Sequence, residues 1–105
     1  MKSAVSQDLR LRKLKTMALR LHGTSRAHAI FTLGSMAEHV VEVCRLIERK
    51  DQHWKAETVD ILIHCHLLLQ AAGVSSAEMD RLVSGRIGRF EQKITEALLG
   101  EAELK

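Results

Sequence analysis

Acidic side chains at helical spacing are the part of this sequence best suited to chemistry. Glu38 and Glu42 are four residues apart, and Glu57 and Asp60 are three apart in the next segment, with His64 one turn beyond Asp60. In helices, each of these spacings places its members on one face. Two such faces pressed together would form a cage of carboxylates, and carboxylate oxygens are the ligands that Mg²⁺ uses at phosphate-processing sites. The pattern predicts a divalent-cation site between two helices.

Each acidic pair also has an ordinary structural explanation. Arg45 and Arg49 continue the face of Glu38 and Glu42, which, taken alone, favours a solvated charged stripe held by ion pairs along one helix. The later acids lie on a face that continues into apolar residues of 67–71. Carboxylates on a face that becomes core are rarely buried unless they are paired or hold a metal. This position favours the functional interpretation.

Four helices joined by short connections must position these residues. Apolar periodicity predicts helices over about residues 4–22, 26–49, 54–73 and 75–100, with a frayed tail after Gly100. We therefore expect an all-α four-helix bundle that forms a single domain over residues 1–105. Within it, residues 1–24 form a basic first helix, residues 25–98 carry the motifs and residues 99–105 form the tail.

Local signals mark the ends of these helices. Gly23 and Gly73 are expected at carboxyl-terminal ends, where a left-handed residue often stops a helix. Thr24 or Ser25 is a candidate N-cap for the second helix. Ser75, with a glutamate three residues on, has the pattern of a capping box and opens the fourth helix.

The apolar positions indicate how the later helices pack. The third helix is apolar nearly all round over residues 61–69, which predicts a central helix covered by its own chain, a partner subunit or both. The predicted apolar stripe of the second helix consists of Met36, Val40, Val43, Cys44 and Ile47, widened by Leu33, Ala37 and Val41. That of the fourth consists of Met79, Leu82, Val83, Ile87, Phe90, Ile94 and Leu98.

Composition narrows the class of protein. The 105 residues contain no proline and no tyrosine, and they include no apolar run of a length that spans a membrane. A secretory signal is also missing from the pattern, so we expect a cytoplasmic protein that does not bind membranes. Cys44 and Cys65 have no metal-ligand spacing and are interpreted as reduced core thiols.

The net charge of +3 is unevenly distributed. Seven Lys and Arg residues occur up to Arg26 against Asp8 alone, so the amino-terminal end is basic and the remainder is mildly acidic. A solvated helix face is the ordinary explanation. The alternatives are attraction of a phosphate-bearing substrate or of nucleic acid, and binding of nucleic acid is the less favoured of these.

The order of the acidic motifs resembles that of the all-α nucleotide pyrophosphohydrolase superfamily, which includes MazG-like proteins, phosphoribosyl-ATP pyrophosphohydrolase and dimeric dUTPase. The family motif is EExxE on one helix followed by ExxD on the next. Glu38-His39-Val40-Val41-Glu42 matches the first with histidine in the second position, and Glu57-Thr58-Val59-Asp60 matches the second in full. The resemblance covers residues 25–93, and the stretch from Asp60 to Val74 is most similar to the phosphoribosyl-ATP branch.

This resemblance implies a four-helix protomer that assembles into a homodimer or homotetramer. It also implies an enzyme that uses Mg²⁺ to cleave a nucleoside triphosphate, or a related nucleotide, to a monophosphate and pyrophosphate. Carried over by motif, the metal ligands and catalytic residues would be Glu38, Glu42, Glu57 and Asp60, one of which also orients or deprotonates the attacking water.

Several basic residues and one histidine are candidate contacts for substrate phosphates. Arg86, Arg89 and Lys93 fall where relatives often carry basic residues, although a solvated basic face explains them equally well. Lys55, just before the acidic pair, is a weaker candidate. His64, one turn after the acidic pair, is suited to hydrogen bonding with an acid, a water or a phosphate. His66 is interpreted as a core or interface histidine.

His39 is the departure from the family motif. His39 is itself a candidate metal ligand. Its imidazole suits Mn²⁺ and other transition metals better than Mg²⁺, and it removes one negative charge from the cage. Three interpretations follow from His39: a slow enzyme, an enzyme whose metal preference is shifted toward Mn²⁺, or a relative that binds nucleotide without hydrolysing it. The alternative from another functional class is a helical interaction module, which would bind nucleic acid or protein through the basic first helix.

Overall fold

The computed structural model describes the backbone of residues 4–104 and the side chains of residues 7–101. Lys2 of the basic end and Lys105 of the tail lie outside these residues. The described backbone forms four helices and no strand, which confirms the all-α prediction. The helices are α1 (Ala4–His22), α2 (Ser25–Glu48), α3 (Trp54–Ala71) and α4 (Ser76–Leu104). Among the described residues, no helix combines the length and apolar character needed to cross a membrane.

The chain divides into two compact units, Met1–Gly73 and Val74–Lys105. The first unit contains α1, α2 and α3, and the second contains α4. Within the first unit, α3 contacts both α1 and α2, and those two helices also contact each other. The position of α3 agrees with the central helix predicted from its apolar sequence. The four-helix bundle and the single domain over 1–105 stay predictions.

The helix ends confirm most of the local signals. Gly23 adopts a positive φ of 87° after α1, and the Thr24 hydroxyl accepts a hydrogen bond of 3.0 Å from the Ala27 N–H at the start of α2. Gly73 likewise has a φ of 84° just beyond α3. The Ser75 hydroxyl accepts a hydrogen bond of 3.1 Å from a backbone N–H at the start of α4. These ends are set by residues close in sequence.

The predicted end of α4 is wrong. The helix continues through Gly100 to Leu104 instead of stopping near Gly100. One glycine inside a helix costs about 1 kcal/mol relative to alanine and retains its backbone hydrogen-bonding groups. An isolated glycine therefore weakens a helix without ending it.

The predicted apolar stripe of α2 is also wrong, because it is not centred on the side of the helix that is buried. The buried residues of this helix are His28, Thr32 and Leu46. Three members of the predicted stripe, Val40, Cys44 and Ile47, are exposed. Apolar residues occur on several sides of α2, so hydropathy alone does not select the side that faces the neighbouring helices.

The two cysteines are free thiols in different surroundings. Cys65, on the central helix α3, is half-buried, whereas Cys44 is exposed on α2. The prediction of a core thiol is therefore wrong for Cys44, and the reason is the same error in the phase of α2.

Candidate metal centre

His39 lies on the side of α2 that faces α3. Thr32, His39 and Leu46 follow one another at seven-residue intervals, which brings them onto the same face of a helix. Thr32 and Leu46 are 2% and 6% exposed, so this is the packed face of α2. His39 therefore lies beside α3, because it is on the face of α2 that packs against that helix.

Glu57 and Asp60 on α3 meet His39 across this contact. The Nδ1 of His39 is hydrogen-bonded to Oε2 of Glu57, and it lies 3.9 Å from Oδ2 of Asp60. One ligand atom from each of the three residues can be chosen so that all lie within 4.8 Å of one another. We refer to His39, Glu57 and Asp60 as the α2–α3 cluster. A carboxylate only accepts hydrogen bonds, so His39 donates through Nδ1.

Two further histidines border the α2–α3 cluster. The second carboxylate oxygen of Glu57, Oε1, lies 3.8 Å from Nε2 of His53 at the start of α3. The imidazole of His64 lies against that of His39, with 5.4 Å between the ring centroids. Three imidazoles and two carboxylates thus occupy one end of the α2–α3 contact. The side chain of Glu57 is 17% exposed, whereas that of Asp60 is 47% exposed, so the cluster opens to solvent at Asp60.

Burial lowers the pKa of His64 below its ordinary value, and the neighbouring His39 lowers it further. Asp60 acts in the opposite direction, because a nearby carboxylate favours the charged imidazole. The net effect is a neutral His64 at neutral pH. A neutral imidazole has one nitrogen that accepts a proton or a hydrogen bond and one that donates.

Glu38 and Glu42 are not brought into the cluster. Glu38 is exposed on α2, and Oε2 of Glu42 lies 3.7 Å from a guanidinium nitrogen of Arg45 on the same helix. This is the solvated charged stripe that the sequence offered as the alternative for these two acids. The structure therefore joins the ExxD pair to His39, the residue between the two glutamates, and leaves the four-carboxylate cage unassembled.

The basic candidates are exposed. Lys55 lies in the first turn of α3, two residues before Glu57. Arg86, Arg89 and Lys93 lie on α4, in the second compact unit. Contact between any of these side chains and a phosphate stays a prediction.

No protein-family model, curated protein or solved structure matches this chain. The resemblance to the pyrophosphohydrolase superfamily consequently rests on the two acidic motifs and their order in the sequence.

The α2–α3 cluster fits one divalent cation better than two. Ligand atoms about 2.1 Å from an ion lie up to about 4.2 Å apart, so atoms gathered within 4.8 Å need only a small closure. One imidazole nitrogen with two carboxylate oxygens suits Mn²⁺ and related transition metals, whereas Mg²⁺ prefers oxygen alone. A cation bound through Nδ1 of His39 would replace the hydrogen bond between this atom and Glu57.

A second pair of histidines was not predicted from the sequence. His22 at the end of α1 and His28 in α2 face each other with 2.9 Å between their Nδ1 atoms, and the ring of Phe31 packs on His22. His28 is 1% exposed, and its buried Nε2 makes no hydrogen bond of standard geometry with the described residues. The turn at Gly23 and Thr24 reverses the chain between the two rings. The predicted turn was the sequence feature from which this contact could have been expected, because a turn brings the residues on either side of it close together.

Burial lowers the pKa of His28, and repulsion from His22 and, more weakly, His64 lowers it further. The backbone of Leu67 acts in the opposite direction. A hydrogen bond between two Nδ1 atoms needs one donor and one acceptor, so at least one of the two rings is neutral.

A groove of about 420 Å³ lies between α1 and α3. Its lining consists of Gln7, Arg10, Leu11, Leu14, Val59, Leu62, Ile63 and His66. Successive helical residues are about 100° apart, so the α3 residues of this groove lie on the side of α3 opposite to Glu57 and Asp60. The groove is therefore separate from the α2–α3 cluster. His66 is half-buried and lies 3.1 Å from the amide nitrogen of Gln70, which agrees with a structural role.

Proposed function

We propose that this chain is a divalent-metal-dependent nucleotide pyrophosphohydrolase that cleaves a nucleoside triphosphate, or a related nucleotide, to a monophosphate and pyrophosphate. The observation that carries the proposal is the meeting of His39 with Glu57 and Asp60. These residues belong to the two motifs whose order resembles the superfamily. The reaction class comes from that resemblance, and the gathering of ligand atoms from two helices supports it.

The residues of the α2–α3 cluster have different parts in this proposal. Glu57 is the least exposed of the three and is held between His39 and His53, so it is the fixed ligand. Asp60 faces solvent more openly and is the ligand beside which substrate and water enter. A bound cation would neutralise phosphate charge and activate the attacking water. His64 is neutral and lies next to His39, where one ring nitrogen can accept a proton or the ring N–H can donate a hydrogen bond to a phosphate oxygen.

The metal in this proposal is Mn²⁺ in preference to Mg²⁺, because His39 contributes a nitrogen where the family motif has a carboxylate. Lys55, Arg86, Arg89 and Lys93 are the proposed phosphate contacts. A homodimer or homotetramer is the proposed assembly, as the resemblance implies.

Pyrophosphate release from a panel of ribo- and deoxyribonucleoside triphosphates and phosphoribosyl-ATP tests the proposal directly. We expect one substrate class to be turned over with Mn²⁺ and more slowly with Mg²⁺. Glu57→Gln and Asp60→Asn should each lower kcat/KM by about 100-fold or more, because each removes a charged ligand.

Matched control variants are available on exposed surfaces. Glu48→Gln on α2 and Asp80→Asn on α4 remove the same charges from exposed positions and should retain the parent rate. Full activity in Glu57→Gln and Asp60→Asn would contradict the proposal. Equal losses in the controls would show that net charge, not the α2–α3 cluster, determines the rate.

His39→Glu tests the departure from the family motif. The variant restores EExxE, and we expect turnover with Mg²⁺ to rise relative to turnover with Mn²⁺. It also places a third carboxylate beside Glu57 and Asp60, so its melting temperature without metal should fall and recover on addition of metal.

A second candidate is a relative that binds nucleotide without hydrolysing it. The placement of Glu38 and Glu42 outside the cluster favours this candidate, because a site with fewer carboxylates supplies less charge for catalysis. Metal-dependent nucleotide binding without pyrophosphate release in the parent, together with activity in His39→Glu, would select it over the first proposal.

A further inference from the structure

The apolar stripe of α4 is exposed along the helix. Val83, Ile87, Phe90 and Ile94 are each between 51% and 61% exposed, and Leu98 at the carboxyl end is 61% exposed. They recur at spacings of three or four residues, so they form one continuous face. A contiguous apolar surface of this kind on a soluble helix marks a site of association.

Little of the apolar surface is buried in the described part of the chain. Among the large apolar side chains described, the buried ones are Leu46, Leu67 and Met79. Small chains bury a limited share of their surface and commonly obtain more by association. The exposed stripe of α4 is thus available to stabilise an assembly.

Four of the five stripe residues fit the seven-residue repeat of a coiled coil, and the fifth, Leu98, falls at an e position beside the seam. With Ile87 and Ile94 at the a positions, Val83, Phe90 and Ala97 fall at the d positions. Two β-branched residues at a are typical of parallel two-stranded coiled coils. All five side chains are exposed, so the whole seam is open to a partner helix.

The charges that flank this seam distinguish a parallel from an antiparallel pair. Arg86 and Lys93 occupy the g positions, and Glu91 occupies an e position. In a parallel pair each g residue faces the e residue five positions later on the partner helix, so Arg86 faces Glu91 of the second copy, twice by symmetry. In an antiparallel pair, g residues face g residues and e residues face e residues. That arrangement sets Arg86 against Lys93 and Glu91 against Glu91.

We infer that α4 associates with α4 of a second copy of this chain as a parallel two-stranded coiled coil, with Val83, Ile87, Phe90, Ile94 and Ala97 at the seam. The apolar face supplies the association, and the Arg86–Glu91 pairing selects this chain as its own partner and fixes the parallel orientation. The inference does not depend on metal binding or on nucleotide hydrolysis.

Disulfide crosslinking tests the orientation. In a background that carries Cys44→Ala and Cys65→Ala, Val83→Cys and Ala97→Cys are prepared as separate single-cysteine variants and oxidised at low micromolar concentration. In a parallel pair, each d position lies opposite its own copy, so both variants should form crosslinked dimers. Arg81→Cys, at an outward b position of the same helix, is the matched control and should not crosslink.

Charge reversal tests the pairing. Arg86→Glu places like charges opposite each other twice per dimer and should raise the dimer dissociation constant by about tenfold. Adding Glu91→Arg to the same chain restores opposite charges and should recover the parent value. Arg81→Glu introduces the same charge change away from the seam and should leave the dissociation constant unchanged. Phe90→Asp should give a monomer whose helix content, measured by circular dichroism, matches that of the parent.

Any of the following three outcomes would overturn the inference. A parent chain that stays monomeric by light scattering at about 100 μM would show that α4 does not bind a second copy. A dimer that survives Phe90→Asp would use a different surface. Dimers in which neither Val83→Cys nor Ala97→Cys crosslinks to itself would be antiparallel. Oligomeric state and crosslinking decide these outcomes, and Phe90→Asp and the cysteine variants leave the proposed phosphate contacts Arg86, Arg89 and Lys93 unchanged. Failure here is therefore distinguishable from failure of the proposed enzyme activity, which is measured by pyrophosphate release.

Discussion

At the scale of single residues, His39 connects the helices that carry the candidate chemistry. Its Nδ1 donates to Glu57, and its ring lies against that of His64. The spacing of Glu57 and Asp60 on α3 predicts that these two residues belong to the site, and the motif predicts that Glu38 and Glu42 join them. In the structure His39, which lies between those two glutamates in the sequence, is the residue of α2 that meets Glu57 and Asp60. Spacing establishes which residues share a face, but only packing against Thr32 and Leu46 selects the face that is used.

The buried His28, which lies against His22, gives a prediction for the dependence of stability on pH. The pKa of His28 is lowered in the folded chain from its ordinary value of 6.5, so the unfolded chain binds this proton more readily. The free energy of unfolding should therefore be highest above pH 6.5 and should decrease as the pH falls from there toward the lower pKa of the folded state. We expect the parent to be less stable at about pH 5 than at about pH 7.5 in urea titrations.

A variant without this proton site should lose part of the pH dependence. His28→Gln removes the titration, and the decrease in its unfolding free energy between the two pH values should be smaller than in the parent. An unchanged decrease in His28→Gln would show that other groups are responsible.

At the scale of elements, the helices and most of their ends follow from short stretches of sequence. Gly23, Thr24, Gly73 and Ser75 act on backbone groups within a few residues, so their effects are readable without knowledge of the fold. The predicted packed side of α2 and the predicted end of α4 are wrong. In α2, apolar residues on several sides leave the packed face undetermined by the sequence, and in α4 a single glycine weakens the helix too little to end it.

The N-cap of α2 can be tested by substitution. Thr24 accepts a hydrogen bond from the Ala27 N–H, so Thr24→Ala should lower the free energy of unfolding by about 1 kcal/mol. Thr24→Ser keeps the hydroxyl, so its free energy of unfolding should be close to that of the parent. Equal stability of the parent and Thr24→Ala in urea titrations would mean that the hydroxyl does not stabilise the helix.

At the scale of the whole molecule, α3 separates two surfaces of the first compact unit. Its acidic face meets α2 at the cluster, and its opposite face meets α1 at the apolar groove. The sequence predicted the central place of α3 because this helix is apolar nearly all round. It did not predict the groove, because the contact between α1 and α3 joins residues more than forty positions apart.

The measurement that tests the central claim most directly is calorimetric titration of the parent, Glu57→Gln and Glu48→Gln with Mn²⁺ and with Mg²⁺. We predict one Mn²⁺ site in the parent that binds Mn²⁺ more tightly than Mg²⁺ and binds it more weakly at low pH, because imidazole and carboxylate ligands hold a metal in their deprotonated forms. Glu57→Gln should weaken Mn²⁺ binding by at least about tenfold, and Glu48→Gln should leave it unchanged. Equal Mn²⁺ affinity in Glu57→Gln and the parent, or no Mn²⁺ binding in the parent, would contradict a metal site at His39, Glu57 and Asp60.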